Sequence, residues 1–216
     1  MAKQDSRNES KRLKVLWQYE VLDTVPEEVF DDLTELAAHI CEAPIALISL
    51  LDGDRQWFKS KVGLALKETS RDISFCTHAI RQSGLFIVPD AAKDRRFARN
   101  PLVLSDPKIR FYAGAPLITP DGHALGTLCV LDKVPRQLRT DQQQALRVLA
   151  RHVMTQLELR RHARELAATQ KAREATRDEL EHARAQVSEL KYRLARFKSD
   201  GPSRRSKTDK ARKPRR

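Results

Sequence analysis

The stretch Arg110 to Asp132, RFYAGAPLITPDGHALGTLCVLD, holds two apolar runs joined by a turn. Arg110 to Ile118 reads as one strand and Ala124 to Leu131 as the next. Between them Pro120-Asp121-Gly122 supplies the reversal, since Pro presets φ and Gly takes positive φ without steric cost. Both strands mix small residues (Ala113, Gly114, Ala115, Gly126) with large ones, which leaves room for a ligand or for a close backbone approach.

Upstream, Ile45 to Leu51 is an almost wholly apolar strand, Asp52-Gly53-Asp54 is a hairpin turn, and Gln56 to Val62 is the returning strand. Val29, Leu33, Leu36, Ala37 and Ile40 form one apolar stripe of a helix that Pro44 ends. Thr24-Val25-Pro26-Glu27 before it has capping-box spacing. Ser74 to Gln82 reads as helical, Leu85 to Val88 as a short strand stopped by Pro89, and Asp94 to Pro107 as a polar connection. Downstream, Thr140 caps the last helix with Gln143 at N3, and Leu146, Leu149, Ala150, Val153 and Leu157 face the domain. Helix, hairpin, short helix, strand, loop, hairpin, helix is the order of an α+β domain with a mainly antiparallel sheet. Strands 45–51 and 124–131 are apolar on both faces, so helices must cover one face of that sheet and a pocket-forming layer the other.

The net charge of +12 is unevenly placed. Lys and Arg against Asp and Glu number 21 to 20 over residues 1–150, 11 to 7 over 151–197, and 9 to 2 over 198–216. The body is nearly neutral and the excess sits at the C-terminal end. Cys41, Cys76 and Cys129 lie 35 and 53 residues apart with no CxxC, which argues against a zinc site or a thioredoxin-like motif. Widely spaced, odd-numbered cysteines suggest reduced thiols and a cytoplasmic setting. The polar N-terminus has no signal-peptide core, and no apolar run approaches the roughly 18 residues of a membrane span. No membrane partner is expected.

From Thr140 no Pro or Gly occurs until Gly201, so one helix to Phe197 would run about 85 Å, too long to pack on the domain throughout. Leu159, Leu166, Leu180, Val187 and Leu194 share a seven-residue register, interrupted by Arg173. The register predicts a homodimer through this helix. The expected organisation is a disordered start at 1–11, a domain at 12–157, a coiled-coil helix at 158–197, and a disordered basic tail at 198–216. Nine basic residues in that tail suit non-specific binding of nucleic acid or another polyanion.

Six motifs occur in order: YEVLDTVPEEVFDDL, DGDRQWFKSKVGL, SFCTHAI, RFARNPLV, IRFYAGAPL and GTLCVLD. Over Arg12 to Leu157 they resemble a GAF domain, of the subfamily common in bacterial sensor kinases and diguanylate cyclases. The resemblance implies a central antiparallel sheet with the first and last helices on one face. It places a ligand pocket on the other face, under the loops and short helices between Lys67 and Arg110. GAF ligands include cyclic nucleotides, bilins, haem, small metabolites and ions, and some GAF domains serve as dimerisation modules; which cofactor or ligand applies here is unknown. The subfamily usually precedes an output domain. Here a helix and a basic tail follow, so the output is expected to pass through a signalling partner protein, the tail or the helix.

Trp57, Phe75, Cys76, Arg110, Tyr112 and Thr127 are the candidates for the pocket lining, with no catalytic residue and no metal ligand expected. Arg110 and Tyr112 share a strand face and suit a clamp on a carboxylate or phosphate. The alternative is an Arg110 pair with Asp90 or Asp94 that pins a loop. Trp57 and Phe58 point to opposite faces, so at most one lines a pocket, and Thr127 reaches it only if its face is not the helix-covered one. Cys76 reads as a bilin-linking or catalytic cysteine or as a buried structural thiol, and Cys129 as core. Three functions compete: a non-catalytic sensor or dimeric adaptor, a nucleic-acid-associated protein acting through its tail, and a free methionine sulfoxide reductase. The cysteine spacing fits the last poorly.

Overall fold

The computed structural model describes residues 2–199, and the side chains of 8–196. In chain order the elements are α1 (Ala2–Gln18), α2 (Glu28–Cys41), β1 (Ile45–Leu51), β2 (Arg55–Val62), β3 (Glu68–Ser70), α3 (Cys76–Ala79), β4 (Phe86–Val88), α4 (Pro101–Leu104), β5 (Phe111–Ile118), β6 (Ala124–Asp132) and α5 (Thr140–Ser199). Among the described residues the strands form one six-stranded sheet in the order β3-β2-β1-β6-β5-β4. Every neighbouring pair is antiparallel. The α+β class with an antiparallel sheet, helices on both sides and a long last helix is therefore what the chain adopts.

β1 and β6 occupy the centre, paired from Ile45↔Leu131 to Leu50↔Gly126. All seven β1 residues are buried, as a strand with two covered faces requires. On one face Ala46, Ile48, Leu50, Phe111, Ala113, Ala115, Leu128 and Val130 meet Leu16, Phe30, Ala37, Leu146, Val153 and Leu157 from α1, α2 and the start of α5. On the other, Ile45, Leu47, Leu51, Tyr112, Cys129 and Leu131 meet Phe75, Cys76, Ala79, Phe97 and Val103 from the α3–α4 layer.

Charged clamps tie the helix layer down. Arg12 is buried and donates to Leu51 O (2.6 Å), while Glu9 joins it to Arg71 (both 2.7 Å). α1 begins at Ala2, where the polar sequence predicts disorder over 1–11, and these charge contacts tie down its turn from Glu9 to Arg12. The buried Lys59 ammonium donates to Thr24 Oγ1 (2.9 Å), Val25 O (2.8 Å) and Glu27 Oε1 (2.6 Å). Glu27, expected at N3 of a capping box, is instead the N-cap residue of α2, with no capping side chain. Its carboxylate is committed to Lys59 and Arg160.

Three further boundaries move. β3 is a three-residue edge strand, too short and polar for a sequence signal. The helix expected over Ser74–Gln82 is the single turn of α3. At the start of α5, Gln142 Oε1 accepts from Arg139 N (3.1 Å) and its Nε2 donates to Ile40 O (3.0 Å), so the cap sits one residue before the expected Thr140.

The chain divides into two compact units, Met1–Arg164 and Glu165–Arg216. In the second, residues 165–196 are exposed, including Leu166, Leu180, Val187, Leu190, Tyr192 and Leu194. Of the expected basic tail, residues 200–216 lie outside the described residues. No helix among the described residues is long and apolar enough to cross a membrane.

Candidate functional site

The face beneath α3 is where polar chemistry enters the core. Strand alternation aims Ser49, Tyr112, Thr127 and Cys129 at α3, which delivers Cys76. Ser74 Oγ donates to Gln56 Oε1, Thr77 Oγ1 to Arg71 O (3.1 Å) and Asn100 Nδ2 to Ile73 O (2.8 Å). These bonds hold the α3 segment to β2 and to α4.

Cys76 Sγ is the common acceptor of the cluster. Thr127 Oγ1 donates to it at 3.1 Å and Tyr112 OH at 3.3 Å, and Cys129 Sγ lies 4.0 Å away. Cys129 Sγ also donates to Leu47 O at 3.7 Å. Burial raises the cost of ionising Cys76, but the hydrogen bonds from Cys129, Thr127 and Tyr112 outweigh it and lower its pKa. Burial and the neighbouring Cys76 push Cys129 up, and burial pushes Tyr112 up. Ser49 Oγ is buried and faces Cys76, on the β1 residue paired with Thr127.

Aromatic rings close the site. Phe75 stacks on Phe97 (centroids 4.1 Å) and on Tyr112 (5.3 Å), and Phe86 and His78 flank them. The guanidinium of Arg96 covers Phe86 and Phe97 at 4.8 and 5.3 Å. Burial, with Arg81 and Arg96 nearby, holds His78 below its ordinary pKa. The space left is a cavity of about 30 Å³, lined by Leu47, Phe75, Cys76, Tyr112, Cys129 and Leu131 among others. That holds a water molecule, whereas ligand pockets run to roughly 300–1,000 Å³.

Glycine explains part of the closure. A Cβ on Gly114 would stand 2.2 Å from Tyr112 OH, so the missing side chain makes room for the Tyr112 ring. A Cβ on Gly126 would stand 1.9 Å from Ser49 O, so that glycine serves a close backbone approach. The small residues of the 110–132 stretch are filled by the protein itself.

Of the six residues proposed from sequence, Phe75, Cys76, Tyr112 and Thr127 come together here. Trp57 packs in the helix-side core and borders a different cleft of about 640 Å³ with Asp23, Asp31 and Lys59. Arg110 places both donors on the Asp90 carboxylate, at 2.9 and 3.0 Å. That ion pair is the loop-pinning alternative, and Asp90 is held below the ordinary carboxylate range by the Arg110 hydrogen bonds. Sequence reasoning missed Ser49 and Cys129. Cys129 carried a usable signal, because it shares a strand face with Thr127.

The chain matches the GAF domain family over residues 25–157. It belongs to the GAF domain family. A protein of Pseudomonas aeruginosa named cyclic di-GMP phosphodiesterase is 46% identical over 129 residues, which are 60% of this chain and 22% of that protein. Among solved structures, the GAF domain of an Acinetobacter phosphoenolpyruvate-protein phosphotransferase superimposes with a TM-score of 0.50 at 18% identity, covering 73% of this chain and 96% of that one. A free methionine-R-sulfoxide reductase from Neisseria meningitidis, solved with its substrate, gives a TM-score of 0.50 at 20% identity, covering 68% and 87%.

These likenesses correct one expectation. The chain was read as having no enzymatic activity, but the 46%-identical GAF relative is named as an enzyme and the same fold carries a reductase. The thiol argument behind that reading also fails. Cys76 and Cys129 are 53 residues apart in sequence and 4.0 Å apart in space.

Proposed function

We propose that this GAF chain senses a small molecule or a chemical state at the site beneath α3 and works in cyclic di-GMP signalling. Membership of the GAF domain family supports a sensory role. The observation that carries the finer reading is the 46% identity to the Pseudomonas cyclic di-GMP phosphodiesterase, over a segment the length of a GAF domain. The closed site supports sensing by rearrangement. A cavity of about 30 Å³ admits a larger ligand only if the Phe75–Phe97–Tyr112 stack and α3 shift. α3 is a single turn of helix, so its shift would break few backbone hydrogen bonds.

The signal would leave through α5, which packs in the GAF core by Leu146, Val153 and Leu157 and continues to Ser199. Leu166, Leu180, Val187 and Leu194 stand exposed on one seven-residue register, which suits pairing with a second copy.

The experiment is to express the chain in a bacterium that makes cyclic di-GMP and to measure the cellular dinucleotide. In parallel, purified protein is incubated with cyclic di-GMP and hydrolysis is followed by chromatography. A changed cellular level supports the reading, and the purified reaction decides whether the chain hydrolyses the dinucleotide itself. An unchanged level with no hydrolysis overturns the reading.

A further inference from the structure

The cluster beneath α3 contains a thiol pair that ligand sensing does not require. Cys76 opens α3 and Cys129 lies mid-β6, so the two belong to different layers of the GAF domain. Their sulfurs are 4.0 Å apart and both residues are buried, at 1% and 0% exposure. A disulfide requires about 2.05 Å between sulfurs. The sulfurs must therefore close by about 2 Å, through side-chain rotation and a small shift of the single-turn α3 beside the cavity.

We propose that Cys76 and Cys129 form a reversible disulfide, driven by a small hydroperoxide that reaches them through the cavity beneath α3. Three features of the site support it besides the sulfur separation. Cys76 Sγ accepts from Thr127 and Tyr112, which stabilise negative charge on the attacking sulfur. The cavity touches both cysteines and has the size of a water molecule, which suits hydrogen peroxide and excludes bulky oxidants. Ser49 Oγ, buried on the same face, offers a donor for an oxygen added to Cys76.

The chemistry balances in two steps. The Cys76 sulfur attacks one oxygen of the hydroperoxide; the O–O bond breaks, sulfenic acid forms at Cys76, and the leaving oxygen takes the Cys76 thiol proton and departs as an alcohol (water, from hydrogen peroxide). Cys129 sulfur then attacks Cys76 sulfur; the S–O bond breaks and water leaves with the Cys129 proton. Two thiols are oxidised, one hydroperoxide is reduced, and a thiol reductant reverses the bond. The disulfide also makes Cys76 a weaker acceptor for Thr127 and Tyr112 than the thiolate, which loosens both hydroxyls and rearranges the site.

Cys41 is the internal control. It is buried on the helix side, away from the cluster, and burial raises its thiol to about 11. The test treats the full chain with hydrogen peroxide, alkylates free thiols after denaturation, and maps the peptides without reduction. The expected result is a linked Cys76–Cys129 peptide, Cys41 still alkylated, and both thiols recovered with dithiothreitol. With cumene hydroperoxide the bond should form far more slowly, as the small cavity demands. Cys129→Ser should leave Cys76 as a sulfenic acid, which dimedone present during denaturation traps. Recovery of all three thiols after peroxide, oxidation of Cys41 at the rate of the pair, or Cys76 oxidised in the wild-type chain without a bond to Cys129 would each overturn the proposal. The readout is the bond itself, so its result is independent of any role in cyclic di-GMP signalling.

Discussion

On the face covered by α1, α2 and α5, the sheet meets aliphatic side chains and a rim of ion pairs: Leu128, Val130 and Ile48 below, Arg12, Lys59 and Glu9 around them. On the face beneath α3, the same strands meet stacked rings, two thiols and three hydroxyls, with a void between. β1 and β6 serve both, since alternate residues of one strand belong to opposite layers. The difference separates labour. Long helices docked on an apolar face supply stability, and a single-turn helix over a polar cluster supplies a wall that moves at lower cost.

The largest effect should come from the helix-covered face. Leu128→Ala removes a fully buried side chain from the centre of that core and should cost about 3 kcal/mol, read from chemical denaturation. Phe75→Leu on the other face should cost about 1.5 kcal/mol, because the stack relaxes around an open void. If Phe75→Leu proves as costly as Leu128→Ala, the two faces do not differ in the way described.

The clamp on α1 should show in acid. Burial works to raise the Glu9 carboxyl, but the hydrogen bonds from Arg12 and Arg71 outweigh it and bring it from 4.5 to about 2. A depressed folded pKa stabilises above the unfolded value, so this contribution is complete above about 4.5 and lost as pH falls toward about 2. The site is partly exposed and screened, so the loss should be about 1 kcal/mol, and Glu9→Gln should remove that part of the pH dependence. Denaturation midpoints measured between these pH values check it. The smallest effect on the GAF core should come from α5 beyond it. If α5 pairs two copies as proposed, Leu180→Asp with Val187→Asp should convert that dimer to monomer in sedimentation while leaving the thermal midpoint unchanged.

How far the sequence told these regions apart depends on what each is made of. β1 and β6 were legible because a doubly covered strand is a continuous apolar run. α1 was not legible over residues 2–11, which carry no apolar stripe; Glu9 there is held by ion pairs to Arg12 and Arg71. The site was half legible. Tyr112 and Thr127 follow from strand parity, but the meeting of Cys76 with Cys129 depends on where a four-residue helix lands. Arg110 carried two readings from sequence, and the Asp90 pair is visible only once the loop is placed.

The central claim is that the wall beneath α3 opens independently of the helix-covered core. Amide hydrogen exchange followed by mass spectrometry tests it directly. Peptides covering residues 71–82 should exchange much faster than those covering β1 and β6, in one local opening that denaturant hardly affects. Equal protection in the two regions, lost together at the global unfolding free energy, would contradict it.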